Sequence, residues 1–426
     1  MKKVLIITYY FPPDPTIGAQ RPFKIAKYLK LYGWEPIILT TPYSGQRPNF
    51  CKIIEVVNKR NILQKKHSFL KYKKVAYMEN DSTLHRYFVK KFKKLIKELI
   101  YYPDDKKAWI APAVNTTLHK LNHSDLHAII STSYPTTTHL VAEKLKRKLK
   151  IPWIADLRDP WTQNEYVQKY RIIKFFEKKL EKKTFSKADL LVTVTPNWVE
   201  DLKKLHRNKE IVYIPNGYDE DDYQNGEPVE LTKKFTLTYT GQLYEGKRDP
   251  SMLFEVVSEL IKRNVLDESL IEIRFFGPEE RWLEERIKKY NLERVVKIYG
   301  FVSRQEAIRR QMESQVLLLL LWNNEYEKGV CPGKVYEYFA ARRPIIATGG
   351  PGGVVKDLIT ETNTGRYIME KKELESAISD YYEEYIKTGQ VHYRGNGKIT
   401  HYNYKKITER YAEVLERIVD GSWVNE

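Results

Sequence analysis

The sequence predicts an α/β protein made of two doubly wound, parallel-sheet domains in series. Short apolar runs that end in glycine or polar loops alternate with segments of helical periodicity, the pattern of strands buried on both faces and joined by crossover helices. The alternation starts afresh after an acidic, loop-like stretch at 219–226. At 426 residues the chain is also longer than one hydrophobic core comfortably serves.

In the first series, 4–9 reads as a strand, 11–20 as a proline- and glycine-bearing loop, 22–32 as a helix and 35–40 as the next strand. This is a βαβ unit with a right-handed crossover. Its loop holds one glycine, Gly18, so the G-x-G-x-x-G dinucleotide fingerprint is missing. Strands follow at 127–132, 151–155, 188–193 and 211–214, with helices inside 133–150 and over 197–205. The second series has strands at 235–240, 271–276, 295–299, 316–321 and 344–347, and a helix over 250–263. Residues 404–419 form an amphipathic helix. The expected division is 1–215 and 216–403, with the C-terminal helix (about 404–426) packing back onto the first domain.

Composition narrows the class. Charged residues at 30% and hydrophobic ones at 42% describe a folded, water-soluble chain. Cys51 and Cys331 lie far apart without metal-ligand spacing, and no signal peptide is in view, so a reducing cytoplasm is the simplest compartment. The longest apolar run, 316–322, is too short to span a bilayer. The net charge is +18, and +11 of it falls between residues 46 and 107. Within that stretch, Phe88, Phe92, Leu95, Ile96 and Leu99 share one helical face, while Lys90, Lys91, Lys93 and Lys94 occupy the other. Two readings stand: a surface helix with its apolar stripe on the core, or a helix lying on an anionic membrane through the 86–107 region. No zinc-finger, RNP-type or helix-turn-helix signature accompanies the charge, so no nucleic-acid partner is expected.

The most informative stretch is Pro332-Gly-Lys-Val-Tyr-Glu-Tyr-Phe-Ala-Ala-Arg-Arg-Pro-Ile-Ile-Ala347. A glycine-bearing loop opens a helix, and the helix leads into a buried strand. Ligands of open α/β sheets sit where strand ends meet helix N-termini, because free backbone N–H groups there attract anions. The carboxylate of Glu337, one turn in, accepts hydrogen bonds from sugar hydroxyls rather than favouring a phosphate. Loop amides for a diphosphate and a carboxylate for a ribose make a nucleotide-sugar site; an ordinary loop–helix–strand unit with Glu337 solvated is the alternative. Gly241 ends a strand six residues before Lys247, and Lys247, Arg248 and Lys334 are candidate diphosphate cations. Fixed cations stabilise a leaving group most in a water-poor site.

Taken in order, these motifs resemble glycosyltransferase family 4. They are Gly18 in the first loop, His139 after three threonines, Asp156-Leu-Arg-Asp-Pro-Trp161, Pro215-Asn-Gly-Tyr-Asp219, Gly241 with Lys247, Gly277, Gly300 and Glu337. The resemblance covers nearly the whole chain. It implies the GT-B architecture, two Rossmann-like domains facing a central cleft, with the acceptor on the first domain and a nucleotide diphosphate sugar on the second. It also implies a retaining transferase of a hexosyl or related group, acting in polysaccharide or lipid-linked glycan assembly at the cytosolic membrane face, without a bound metal. His139, Lys247 and Arg248 are then the catalytic candidates. Gly18, Gly241, Gly277, Gly329, Val330, Gly333, Lys334 and Glu337 are expected on the donor, and Arg158 and Asp159 on the acceptor side. The family's acidic motif places a first glutamate eight residues before the second; that position is Gly329 here, and neither Glu325 nor Glu327 has the spacing. Backbone amides of 329–333 are expected to substitute. A nucleotide-sugar epimerase on the same fold, and a non-catalytic basic protein that binds membrane or nucleic acid, are the competing readings.

Overall fold

A computed structural model describes residues 1–58, 91, 93–94, 96–224 and 229–421. The chain divides into two compact units, Met1–Pro215 together with the chain from Ile407 onward, and Asn216–Lys406. Phe88, Lys90, Phe92 and Leu95 of the expected basic helix lie outside the described residues.

The first unit is built on a parallel sheet in the order β3-β2-β1-β4-β5-β6-β7. The strands are β1 (Lys2–Ile7), β2 (Trp34–Thr40), β3 (Lys52–Glu55), β4 (Leu126–Thr132), β5 (Trp153–Leu157), β6 (Leu190–Thr193) and β7 (Ile211–Tyr213). Ile6 pairs with Ile38 on one side and Ile130 on the other, so β1 is central. Its helices include α1 (Gln20–Leu29), α2 (Ile110–Lys120), α3 (Thr137–Leu149), α4 (Arg171–Phe185) and α5 (Pro196–Leu205). α5 starts where the sequence signals a start: Thr195 caps the amide of Trp198 and Pro196 takes the first helical position. α3 is fixed differently, by a distant carboxylate. Asp104 accepts hydrogen bonds from the Thr137 amide and from the hydroxyls of Thr136 and Thr137 at 2.6–2.7 Å.

The second unit has the order β10-β9-β8-β11-β12-β13, again all parallel. Its strands are β8 (Phe235–Thr240), β9 (Ile271–Phe276), β10 (Val296–Gly300), β11 (Val316–Leu320), β12 (Ile345–Thr348) and β13 (Gly365–Ile368). Its helices include α6 (Ser251–Lys262), α7 (Arg281–Lys289), α8 (Arg304–Met312), α9 (Gly333–Ala341), α10 (Val354–Thr362) and α11 (Lys371–Thr388). β11 shows why its sequence is continuously apolar. Leu318 and Leu320 join the core cluster on one face, while Leu317 and Leu319 join the cluster on the other.

The last helix, α12 (Tyr404–Asp420), anchors to the first unit from Ile407 onward. Tyr411 is fully buried, and its hydroxyl meets Arg21 and Asp156, each at 2.8 Å. Arg21 makes a bidentate pair with Asp156 at 3.1 Å and donates to the carbonyls of Ile214 and Pro215. Burial alone would raise the Asp156 pKa, but Arg21 and the Tyr411 and Thr132 hydroxyls outweigh it and hold the carboxyl below its usual range. A buried ion pair with its lone pairs satisfied in this way tolerates burial; removing one partner leaves an uncompensated charge.

Two local expectations are corrected. Ile96 and Leu99 do not pack on the core but are 40% and 54% exposed. The stretch 219–226 is not wholly a loop, since Asp221–Gln224 forms one helical turn. The strands β3 and β13 and the helices α2, α4, α7, α8, α10 and α11 add to the expected elements; α11 is delimited by a Glu370–Glu373 capping box and by Gly389 in the left-handed conformation.

Candidate functional site

The polar residues of the second unit gather at the carboxyl ends of β8 and β11. There the strand order reverses direction, leaving a crevice at the switch point of the sheet. Gly241 follows β8 with φ +115°, a conformation that suits glycine, and a Cβ there would lie 2.4 Å from the Lys334 Nζ. A Cβ on Gly277 would lie 2.2 Å from the Gly241 carbonyl oxygen. Gly277, expected on the donor, lets two strand ends close up, and the Gly300 carbonyl accepts the Gly277 amide at 2.9 Å.

α9 begins at Gly333, behind Pro332, and no side chain caps it. The first-turn amides of a helix lack intrahelical acceptors and carry its positive end. Gly333 is exposed and faces open space. Lys334 reaches back to β8: its Nζ donates to the Tyr239 hydroxyl at 3.0 Å and lies 4.2 Å from that ring's centroid. Arg248 donates to the same hydroxyl at 3.4 Å, and the hydroxyl donates to the Gln242 carbonyl at 2.6 Å. Burial pushes the Lys334 ammonium well below the ordinary lysine value, and Arg248 adds to this against the opposing pull of Glu337. Two cations thus share one neutral acceptor beside an open helix N-terminus. An anion placed there would relieve their repulsion.

The remaining expected residues divide. Lys247 is at the same end of the sheet, but its Nζ lies over the Trp322 ring at 4.4 Å and not on Tyr239. Glu337, one turn into α9, takes Arg304 of α8 at 2.7 Å on one oxygen, with Gln311 at 3.5 Å from the other. Arg304 also binds Asp222 at 3.2 Å. The neighbourhood of Val330 is a correction: its amide is occupied by the Glu327 carbonyl at 3.0 Å, and Gly329 is buried at the end of a short 3₁₀ turn. The amides at Gly333 and Lys334 belong to the uncapped first turn of α9.

Glu327 is the residue that sequence reasoning sets aside on spacing and that the structure brings forward. It is buried, one carboxyl oxygen has no hydrogen-bond partner, and burial pushes its pKa up to about 7. Its spacing from Glu337 gives no signal; the 3₁₀ turn, which sequence does not announce, brings it inside. Tyr239 is hidden for a different reason, because its place in an apolar strand reads as core.

In the first unit, the switch point between β1 and β4 is lined differently. Arg158 donates to the Gly18 carbonyl at 3.0 Å and to the Ser133 carbonyl. A Cβ on Gly18 would meet the Arg158 guanidinium at 3.0 Å, so the glycine makes room for the arginine. His139 is fully buried, against Ser131 at 2.7 Å and edge-on to Phe185. Burial lowers its pKa to about 3, so it is neutral in the fold. Its Nε2 is buried without a hydrogen-bond partner. Asp159 lies in a cavity of about 840 Å³ with Asp105, Ser133, Tyr134, Trp161 and Lys174 among its walls. Protein atoms packed around the Asp159 carboxyl raise its pKa against the opposing charge of Arg158, although the residue itself is exposed.

Comparison with known proteins places this geometry. The family described as "Glycosyltransferase Family 4" matches residues 92–222, and "Glycosyl transferases group 1" matches residues 234–384. No curated protein sequence matches. Solved structures match over the whole chain at low identity. Anabaena Alr3699/HepE in complex with UDP and glucose is 12% identical, with a TM-score of 0.60, covering 98% of this chain and 100% of that one. A single-site mutant of S. aureus TarM, in complex with fondaparinux, alpha-GlcNAc-glycerol and UDP, is 10% identical, with a TM-score of 0.55 and coverages of 99% and 98%. A Listeria monocytogenes protein titled a putative UDP-N-acetylglucosamine 2-epimerase is 11% identical, with a TM-score of 0.53 and the same coverages. These structures share the fold with this chain, and one of them is titled an epimerase; the family matches on both halves carry the class. The chain is a glycosyltransferase of the GT-B class, with a family 4 segment in its first half and a group 1 segment in its second.

Proposed function

We propose that the second unit binds the nucleoside diphosphate of a sugar donor at its switch point, and that the enzyme passes the sugar, with retention, to a hydroxyl of a glycan or lipid-linked acceptor held by the first unit. The observation that carries this reading is the convergence of Lys334 and Arg248 on one hydroxyl beside the uncapped start of α9. A diphosphate supplies the two negative charges this corner lacks. Lys334, Arg248 and the Gly333 and Lys334 amides would bind it, and Lys247 on Trp322 would close over it. The Glu337 oxygen that meets Gln311 only at 3.5 Å is suited to ribose hydroxyls, while Arg304 holds the other oxygen in place. HepE and the TarM mutant were both solved with UDP, which supports a uridine donor as the first to test.

In the reaction, the bond between the anomeric carbon and the diphosphate oxygen breaks as the acceptor oxygen bonds the same face of that carbon. The acceptor's proton leaves on the departing diphosphate. The cations at Tyr239 offset the negative charge that grows on the leaving group. His139 takes no part as acid or base, being neutral and buried. The setting is assembly of a polysaccharide or lipid-linked glycan at the cytosolic face of a membrane; among the described residues no helix is long and apolar enough to cross one.

Thermal stabilisation by UDP, GDP, ADP and CMP, with and without EDTA, tests donor binding. Saturation at about a hundred times Kd adds roughly 2.7 kcal/mol. Proton NMR of the product tests retention, and an inverted anomer would contradict it. Donor turnover without any acceptor would instead favour an epimerase.

A further inference from the structure

The outer face of α4 has no core to cover it. Ile172, Phe175 and Phe176 are 50–54% exposed at helical spacing i, i+3, i+4, which puts them on one side of the helix. The acidic residues of α4, Glu177 and Glu181, are both buried, while Arg171, Lys174, Lys178, Lys179, Lys182 and Lys183 are all exposed. Lys179 lies over the Phe175 ring at 4.5 Å, so aromatic and cation form one surface. Ile96, Leu99, Ile100, Tyr166 and Val167 add further exposed apolar side chains in the same unit.

This face borders the cavity that holds Asp159. Lys174 and Glu177 of α4 line it, as do Val167 and Lys97. Lys97 and Lys174 are exposed cations at the cavity wall, whereas Lys169 is engaged by Glu177. Ser133 and Trp161 line the same cavity as Asp159, and the Ser133 hydroxyl and the Trp161 Nε1 are buried polar atoms without hydrogen-bond partners. Unpaired buried polar atoms are costly, and sugar hydroxyls would pair them.

We propose that α4 seats the first unit on an anionic lipid surface, and that the adjoining cavity takes a saccharide linked to lipid through phosphate. The saccharide meets Asp159, Ser133 and Trp161, the phosphate meets Lys97 and Lys174, and the lipid runs out over Ile172, Phe175 and Phe176. The assignment rests on the transferase reading above and names its acceptor class. Exposed lysines alone would suit any polyanion. The apolar stripe between them favours a bilayer, whose headgroups take the charges while its acyl boundary takes the rings.

The test is flotation of the full-length protein with vesicles of phosphatidylcholine alone, with added phosphatidylglycerol, or with added polyprenyl diphosphate. Wild-type protein should bind both anionic preparations and leave phosphatidylcholine alone. Phe175→Ser/Phe176→Ser should reduce both bound fractions roughly tenfold. Lys97→Ala/Lys174→Ala should spare phosphatidylglycerol binding and cancel the gain from polyprenyl diphosphate. Inorganic diphosphate in solution should not displace the protein, since it lacks the lipid. Wild-type protein that ignores anionic vesicles, or a serine double variant that binds as well as wild type, overturns the lipid-facing surface. An undiminished polyprenyl diphosphate gain in the lysine variant, or displacement by inorganic diphosphate, overturns the cavity assignment. Thermal stabilisation by UDP, measured on every variant, reports folding and the donor site separately, so failure of the transferase reading is seen independently.

Discussion

The two units share one strand order over six strands, with β7 added in the first, and they differ at its switch point. In the second unit the cations are left short of anions: Lys334 and Arg248 converge on the neutral Tyr239 hydroxyl next to open helix amides. At the switch point of the first unit the corresponding arginines are already spent: Arg158 is bound to two backbone carbonyls and Arg21 is paired with Asp156. The cavity of the same unit is lined by carboxylates and aromatic rings, with Lys97 and Lys174 as exposed cations at its wall. The same topology therefore offers an anion site in one unit and a hydroxyl-reading cavity in the other. What each crevice binds is set by whether its charges are partnered, and not by the fold.

The contrast can be broken at either end. The largest effect is expected from Arg21→Met, which leaves Asp156 buried without its partner. Chemical denaturation should show a loss of about 3–5 kcal/mol, with the docking of α12 weakened because Tyr411 loses the same partner. Acid should weaken the wild type by the same route: the Asp156 pKa is depressed, so its stabilisation is present above the usual carboxylate range and is lost as pH falls through the lowered value. Next in size is Lys334→Met. Calorimetry should find UDP affinity reduced roughly 10²-fold or more, with the fold intact, because burial of the methionine costs less than burial of the charge. In wild type, affinity should be level below the depressed Lys334 pKa and fall as pH rises from there toward the ordinary lysine value of 10.5; the methionine variant should lack that slope.

Smaller effects sharpen the comparison through pH. Glu327 has a pKa raised from 4.5 to about 7, so it favours the fold at low pH and loses that contribution as pH rises across this window. Glu327→Gln should therefore gain stability relative to wild type as pH goes from 4.5 to 7. His139 has the opposite sign. Its pKa falls from 6.5 to about 3, so its contribution is present above 6.5 and is lost as pH falls. His139→Gln should lessen the acid sensitivity of the first unit, and thermal melts across pH will show whether the two variants respond in opposite directions.

Much of this is legible in the sequence. β8 and β9 are found at 235–240 and 271–276; their alternating apolar residues reach the core cluster, while Thr236, Thr238 and Arg274 are buried with hydrogen-bond partners. The cluster of Gly241, Arg248, Lys334 and Glu337 is likewise visible, since glycine turns and helix starts leave signals at fixed offsets. The limits have physical causes. α4 breaks the usual pattern by exposing phenylalanines and burying glutamates, so a periodicity reading has no face to assign. His139 and Gly18 sit at informative positions, yet their chemistry depends on neighbours far away in the chain, Phe185 and Arg158. The cation pair Lys247–Arg248 reads as one unit, but the turn at Tyr244–Gly246, with three consecutive positive φ values, sends the two side chains to different aromatic rings.

The central claim is that the anion-short cations of the second unit bind a nucleoside diphosphate. The most direct measurement is a calorimetric titration of wild-type protein and Lys334→Met with UDP in the presence of EDTA. The account predicts EDTA-insensitive binding by wild type and a loss of roughly 10²-fold or more in the variant. Equal affinity in both proteins, or no binding of any nucleoside diphosphate by the wild type, would contradict it.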